Sequence, residues 1–303
     1  MKNYIAVLLS VLLTACGGGG DSPAVSSTPT TYTISKFSNK TGYKSTVPFK
    51  DEKFFLDLCL WDTRGLDIEV SIQGSVTGNV ATAEWMFNVP YANIPGSRIC
   101  PGIYYGWRDT LFYSGLPEFK YMNQYKPAGI LPSTFKNLPE KLFVDYDIQL
   151  SNTNGSWHIT SEAWGMNMWG SNTNSGWYWN GASIPMDIHY WGTPEWDSNY
   201  WNDERFGKPH EIFTDSYGRR WRLTKAAWHN NCGNGCPNFP YTIVIDLIDG
   251  KLKDKVDVKP VINRVIQLGW QSPDLSLSNL GINTEVIYGN ATVTVNKFEV
   301  TDK

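Results

Sequence analysis

The feature that most constrains this chain is a repeated two-residue alternation. In residues 67–73, Ile68, Val70 and Ile72 fall on one face. In 143–150, Val144, Tyr146, Ile148 and Leu150 face one way and Asp145, Asp147 and Gln149 the other. Residues 241–248 form a mostly apolar run, and 291–300 (ATVTVNKFEV) form a last β-rich one. A period of two belongs to half-buried strands, and Gly, Pro and Asn separate the runs. An all-β sandwich or jelly roll is predicted, large enough to form one domain. One segment breaks the pattern. Val258, Val261, Ile262, Val265, Ile266 and Leu268 make a helical stripe. Asp257 is placed to cap it, Pro260 suits its first turn, and Gly269 can stop it. One C-terminal-half helix should therefore pack on the sandwich.

The N-terminus reads as an export signal. Lys2 precedes an apolar run from Tyr4 to Leu13, too short to cross a bilayer. The run ends in Leu-Thr-Ala-Cys, which resembles a bacterial lipobox with Cys16 as the lipidated residue. The expected organisation is a signal peptide over 1–15, a lipidated Cys and flexible tether over 16–31, and one domain over 32–303. Gly17 after the Cys favours, by resemblance, the outer membrane, so a cell-envelope location is expected with the Cys16 lipid as the only membrane contact. Removing 1–15 leaves 25 basic against 29 acidic side chains. That balance lacks the basic face of a nucleic-acid binder.

Four cysteines remain: Cys59, Cys100, Cys232 and Cys236. In an exported chain they read as two disulfides, with three possible pairings. Cys232-Gly-Asn-Gly-Cys236 could close on itself, which would leave Cys59 with Cys100. A zinc site fits poorly, because Cys59 and Cys100 have no ligand partner nearby in sequence. The four histidines show no metal spacing either, and no metal or organic cofactor is expected.

The chain holds 14 Trp, 16 Tyr and 13 Phe. Ten of the tryptophans lie between Trp157 and Trp228, in a stretch rich in Asn, Gly and Ser. A core would surround Trp with aliphatic residues. Rings set among amides instead suit a cleft that stacks on sugar faces while amides and carboxylates bind hydroxyls.

Hydrolysis of a glycosidic bond uses two carboxyl groups astride it. Glu162 shares a strand face with His158, Thr160, Trp164 and Met166, an unfavourable setting for an idle carboxylate. Asp147 lies upstream on the polar face of 143–150, where a hairpin would bring it beside Glu162 and tune that group. Glu285 sits in Gly281-Ile-Asn-Thr-Glu285-Val-Ile-Tyr-Gly289, directly after the helix. Glu195 is a backup nucleophile in a turn-rich segment.

These residues resemble glycoside hydrolase family 12, the retaining endo-β-1,4-glucanases and xyloglucanases. Tyr146-Asp147-Ile148-Gln149-Leu150 is similar to the family's Tyr-Asp-Ile-Trp-Leu strand. Glu162 falls where its Glu-x-Met-x-Trp strand would begin, with Trp164 and Met166 in exchanged order. Gly218-Arg219-Arg220-Trp221 resembles its Gly-x-x-Trp strand. The segment from Asp257 to Phe298 resembles its C-terminal helix, a Ser272-Pro273-Asp274-Leu275 approach and the strand bearing the acid/base. The resemblance implies a jelly roll with a concave cleft for a β-glucan chain. It implies Glu162 as nucleophile, Glu285 as acid/base and Asp147 as the nucleophile's support. Trp61, Trp107, Trp164, Met166, Trp169 and His158 are the candidate substrate contacts. A monomer acting on β-glucan is expected; the alternative is an anchored lipoprotein that binds glycan without cutting it.

Overall fold

The computed structural model describes residues 30–35, 46–48, 53–60, 65–93, 99–106, 129–166, 185–193, 211–226, 242–274 and 276–303. The expected signal peptide over 1–15, Cys16, Cys232, Cys236, Glu195, Trp61, Trp107 and Trp169 lie outside them. In chain order the strands are β1 (Thr30–Ser35), β2 (Thr46–Pro48), β3 (Phe54–Asp57), β4 (Glu69–Thr77), β5 (Val80–Val89), β6 (Gly102–Gly106), β7 (Ser133–Thr134) and β8 (Phe143–Met166). They continue with β9 (Pro185–Gly192), β10 (Glu211–Thr214), β11 (Arg220–Ala226), β12 (Thr242–Leu247) and β13 (Lys253–Asp257). Helix α1 (Lys259–Gln267) follows, then β14 (Ser276–Leu277) and β15 (Asn279–Thr301). β1 starts at Thr30, so it takes in the last residues of the expected tether. No described helix is long and apolar enough to cross a membrane.

Two long strands organise everything else. β8 and β15 pair antiparallel along most of their length. Their outer portions, Phe143–Asn154 and Asn290–Thr301, lie in one sheet, ordered β1-β4-β5-β15-β8-β13. Their inner portions lie in a second, ordered β2-β3-β6-β15-β8-β9-β12-β11-β10. The sheets face each other across one core. Trp85 of β5 donates its indole N–H to Thr284 Oγ1 of β15 at 2.9 Å. Phe87 meets Trp157 edge to face at 5.9 Å, and Phe54 meets Phe298 at 5.8 Å. This is the predicted jelly-roll sandwich.

The crossing between sheets corrects one expectation. Segments 143–150 and 157–166 are not two arms of a hairpin but one strand of 24 residues. Asn152 and Gly155, which look like turn residues in sequence, have φ of 54° and 95° within that strand. Gly155 pairs with Gly289 of β15, φ 111°. A Cβ on Gly155 would lie 2.5 Å from the Gly289 Cα, and one on Gly289 2.6 Å from the Gly155 Cα. Bare glycines let the two backbones pass this closely as they swing from one sheet to the other.

The helix forms where the stripe predicts. Val261, Ile262 and Val265 are buried, and Pro260 sits in the first turn. The Asp257 carboxylate accepts from the backbone N–H of Lys259 at 3.0 Å, and Gly269 (φ 68°) follows the last turn. Arg264 grips Glu211 of β10 through two bonds of 2.6 and 2.8 Å, tying α1 to the edge of the second sheet.

Candidate active site

Alternation in the second sheet separates two sets of side chains. On β8 and β15, Trp157, Ile159, Ile282, Thr284 and Val286 turn into the core. His158, Thr160, Asn283 and Glu285 therefore occupy the opposite face. Cross-strand register aligns them: Glu285 stands opposite His158, and Asn283 opposite Thr160. Thr160 stands opposite His189 of β9, His189 opposite Asp246 of β12, and Asp246 opposite Arg222 of β11. A row of polar positions thus runs across five strands, from Asn283 to Arg222.

Burial is unusually deep along this row. His158, Thr160 and Asn283 are fully buried, and His189 nearly so. The Thr160 hydroxyl donates to the Ile188 carbonyl at 2.7 Å. The Asn283 amide has no hydrogen-bond partner among the described residues, a placement that costs about 1–3 kcal/mol unless something completes it. Arg222 closes the row with a 3.0 Å ion pair to Asp246. The His158 and His189 rings lie 4.1 Å apart between centroids, tilted by 38°. Burial, helped by the neighbouring His189, holds the His158 imidazole well below its ordinary pKa. Burial and the Arg222 charge push His189 down to about 3. Both rings are neutral at pH 7.

Glu285 is a carboxylate of this face, on β15 beside His158. Its side chain is 13% exposed, and its Oε2 lies 3.5 Å from His158 Nε2. On its other flank the backbone N–H of Val286 donates to the Ile99 carbonyl, and Thr284 to Pro101, both at 3.0 Å. Segment 99–101 thereby braces β15 at the position of Glu285. The sulfurs of Cys59 and Cys100 meet there, Sγ to Sγ 2.8 Å, so two of the four expected disulfide cysteines lie against each other.

Glu162 lies on β8 four residues beyond His158, on the same alternation, with Asp187 of β9 directly across from it. Four extended residues span about 13 Å. Asp187 was not singled out in the sequence, although Met186-Asp187-Ile188-His189-Tyr190 alternates as a strand should. The side chains of Glu162, Trp164, Met166 and Asp187 lie outside the described residues; only their backbone register enters here.

Asp147 does not meet Glu162. It sits in the outer portion of β8, fifteen residues upstream on the same strand, and is bonded by Lys253 of β13. The hairpin that would have folded it back does not exist. Trp221 of the Gly-Arg-Arg-Trp strand is a core residue, fully buried, with its indole N–H on Asp215 at 3.0 Å. Among the described residues, no group of three His, Cys, Asp or Glu side chains is placed to hold a metal ion.

No family model and no curated protein matches this chain. Solved structures do. It is similar to the native family 12 xyloglucanase of Bacillus licheniformis, with a TM-score of 0.62 and 16% identity over 90% of this chain and 99% of that one. It is similar to endoglucanase Cel12A of Rhodothermus marinus, with a TM-score of 0.56 and 15% identity over 89% and 98%. A family 12 endoglucanase of Trichoderma harzianum aligns at a TM-score of 0.57 and 12% identity, over 90% and 97%. The fold is that of the family 12 glycoside hydrolases.

Proposed function

We propose that this chain is an endo-acting glycoside hydrolase that cleaves a β-1,4-glucan backbone, such as xyloglucan or a cellulose-like or mixed-linkage glucan, with retention of configuration. The observation that carries the reading is Glu285: a half-buried carboxylate beside a neutral imidazole, on the face away from the core, in the family 12 fold. A carboxyl group in a covered setting beside an uncharged ring is placed to serve as a general acid.

In this mechanism Glu285 protonates the leaving glycosidic oxygen while Glu162 attacks the anomeric carbon. The glycosyl ester on Glu162 is then hydrolysed by a water that Glu285, now a carboxylate, deprotonates. Retention calls for the two carboxyl groups about 5–5.5 Å apart. Asp187 takes the supporting place expected of Asp147, because it is the acid directly across from Glu162. The polar row from Asn283 to Arg222 offers donors and acceptors to sugar hydroxyls. Export and the Cys16 lipid would hold a monomeric enzyme at the bacterial envelope, facing polymer too large to enter the cell.

Reducing-end release from a panel of β-glucans, with proton NMR of the first anomer formed, tests activity and stereochemistry together. A 2-deoxy-2-fluoro cellobioside with a dinitrophenyl leaving group should trap an ester on Glu162, located by peptide mass spectrometry. An ester on Asp187 would exchange the two roles. An inverted product would end the double-displacement scheme. Glucan binding with no release by wild-type protein would leave only the glycan-holding alternative.

A further inference from the structure

The outer sheet carries a second concavity on its solvent side. It is a depression of about 380 Å³ lined by β4, β5, β15 and the bend of β8, within the roughly 300–1,000 Å³ of small-molecule sites. Cross-strand register arranges its side chains in two rows. Glu69, Asn88 and Asn290 stand side by side across β4, β5 and β15, and Ser71, Met86 and Thr292 form the next row. Val70, Phe87 and Ala291 alternate with them and are buried in the core, so both rows occupy the face away from it. The depression and the candidate active site therefore lie on opposite sides of the sandwich.

Farther along this face, polar groups bond to one another. Gln73 donates to Glu84 at 3.1 Å, Thr294 to Glu84 at 3.2 Å, and the Ser75 and Thr82 hydroxyls meet at 2.8 Å. In the depression the Asn290 amide instead donates to the backbone carbonyl of Asn152, so the bend that carries β8 between sheets also holds that side chain in place. Glu69, Ser71, Asn88 and Thr292 line the open space beside it. Apolar contact is supplied as well. Met86 is 55% exposed, and Tyr91, just past the end of β5, is 71% exposed. The Tyr91 ring stands edge to face with Tyr288 at 5.1 Å, two residues before Asn290, so a braced ring borders the first row.

We propose that this depression is a secondary binding site for a neutral β-glucan chain, distinct from the site of cleavage. The ligand class rests on the proposed function; the site stands on its own geometry. Of the ten residues that line it, Glu69 alone is charged. The outer-sheet cations Lys253 and Lys297 are already paired with Asp147 and Asp145. An anionic polymer would find no counter-charge there. Amides and hydroxyls pair with sugar hydroxyls, and an exposed tyrosine stacks on a pyranose face. Neighbouring strands stand about 4.8 Å apart, so each row offers its groups at close to the interval of successive sugars in an extended chain. A polymer held there stays near the cleft, and its effective concentration at the cleft rises.

Nitrogen-15 NMR of the full chain carrying Glu285→Gln, which leaves the ligand uncut, tests the site during titration with cellohexaose. The side-chain amides of Asn88 and Asn290 should shift, and polygalacturonate should leave them in place. Tyr91→Ala should weaken the affinity read from the Asn290 amide about two- to tenfold, as loss of one aromatic contact does. In an otherwise wild-type chain, Tyr91→Ala and Asn88→Ala should each raise KM on xyloglucan polymer while hydrolysis of an aryl cellobioside, too short to span both sites, stays unchanged. Amides that do not respond to cellohexaose overturn the proposal, as does an equal response to polygalacturonate or an equal loss on both substrates. A wild type that releases no reducing ends, beside amides that do shift, would sink the proposed function and leave this site standing. Release of reducing ends without those shifts would do the reverse.

Discussion

The two portions of β8 treat their charged neighbours in opposite ways. In the outer portion, Asp147 is met by Lys253 and Asp145 by Lys297, at 2.7 Å for the second pair, on a solvent-facing surface. In the inner portion, Glu285 of the partner strand is met by a buried histidine that carries no charge. Strand, pairing partner and alternation are the same. The outer carboxylates are held in surface ion pairs, whereas the inner one faces a covered ring, the kind of setting in which catalytic carboxyl groups are found.

The largest expected effect breaks the comparison at its centre. Glu285→Gln should lower kcat on polysaccharide by about 10²–10⁴-fold, the range a general acid contributes. Asp147→Asn should leave kcat at wild type, and a matching loss there would erase the distinction between the portions. Next comes the hinge that joins them. Gly155→Ala puts a Cβ against the β15 backbone at a φ of 95°. It should cost on the order of 3 kcal/mol, read as a lower urea midpoint. A neutral outcome would mean that the crossing is not held by close backbone contact.

The buried histidines predict a pH dependence with a definite sign. Their folded-state pKa values lie below the unfolded value near 6.5, so the unfolded chain binds more protons between the two. Their contribution is therefore complete above about pH 6.5. It is lost as pH falls from there toward about 3, the value for His189. Across that window His189 loses its stabilising contribution progressively as the unfolded chain takes up a proton the folded one refuses, and His158 acts in the same direction. Denaturation midpoints at pH 7, 5.5 and 4.5 should converge between wild type and His189→Gln as pH falls; parallel curves would mean that His189 is not buried neutral. The smallest effect belongs to the outer portion. Lys297→Met should cost about 0.2–1 kcal/mol, as exposed pairs do, and should fade in 0.5 M salt.

Much of the fold was legible in the residues. Alternation in 67–73, 143–150 and 291–300 marked strands, and the stripe from Val258 to Leu268 marked α1, because burial of one face imposes a period that any reader can count. Glu285 could be singled out by its glycine-flanked strand after the helix. His158 was placed on the right face, but its charge state was not legible, since that depends on what covers it. Asp147 was misplaced for a specific reason. Asn152 to Gly155 has the composition of a hairpin turn, and left-handed residues serve a turn and a bend between sheets equally well. Asp187 went unnoticed because an acid in a short alternating segment is ordinary until its cross-strand partner is known.

By itself, then, the sequence determined which side chains share a face, where the helix runs, and which acids stand on strands. Those are properties of neighbours along the chain, and backbone geometry converts them directly into periodicity. Only the tertiary structure decided that β8 passes through both sheets, that Asp187 and not Asp147 stands across from Glu162, and that Glu285 meets an uncharged ring. Register and burial arise from contacts between segments more than a hundred residues apart, such as Glu285 with His158. A carboxylate keeps or loses its proton according to those contacts, not according to the residues beside it in the chain.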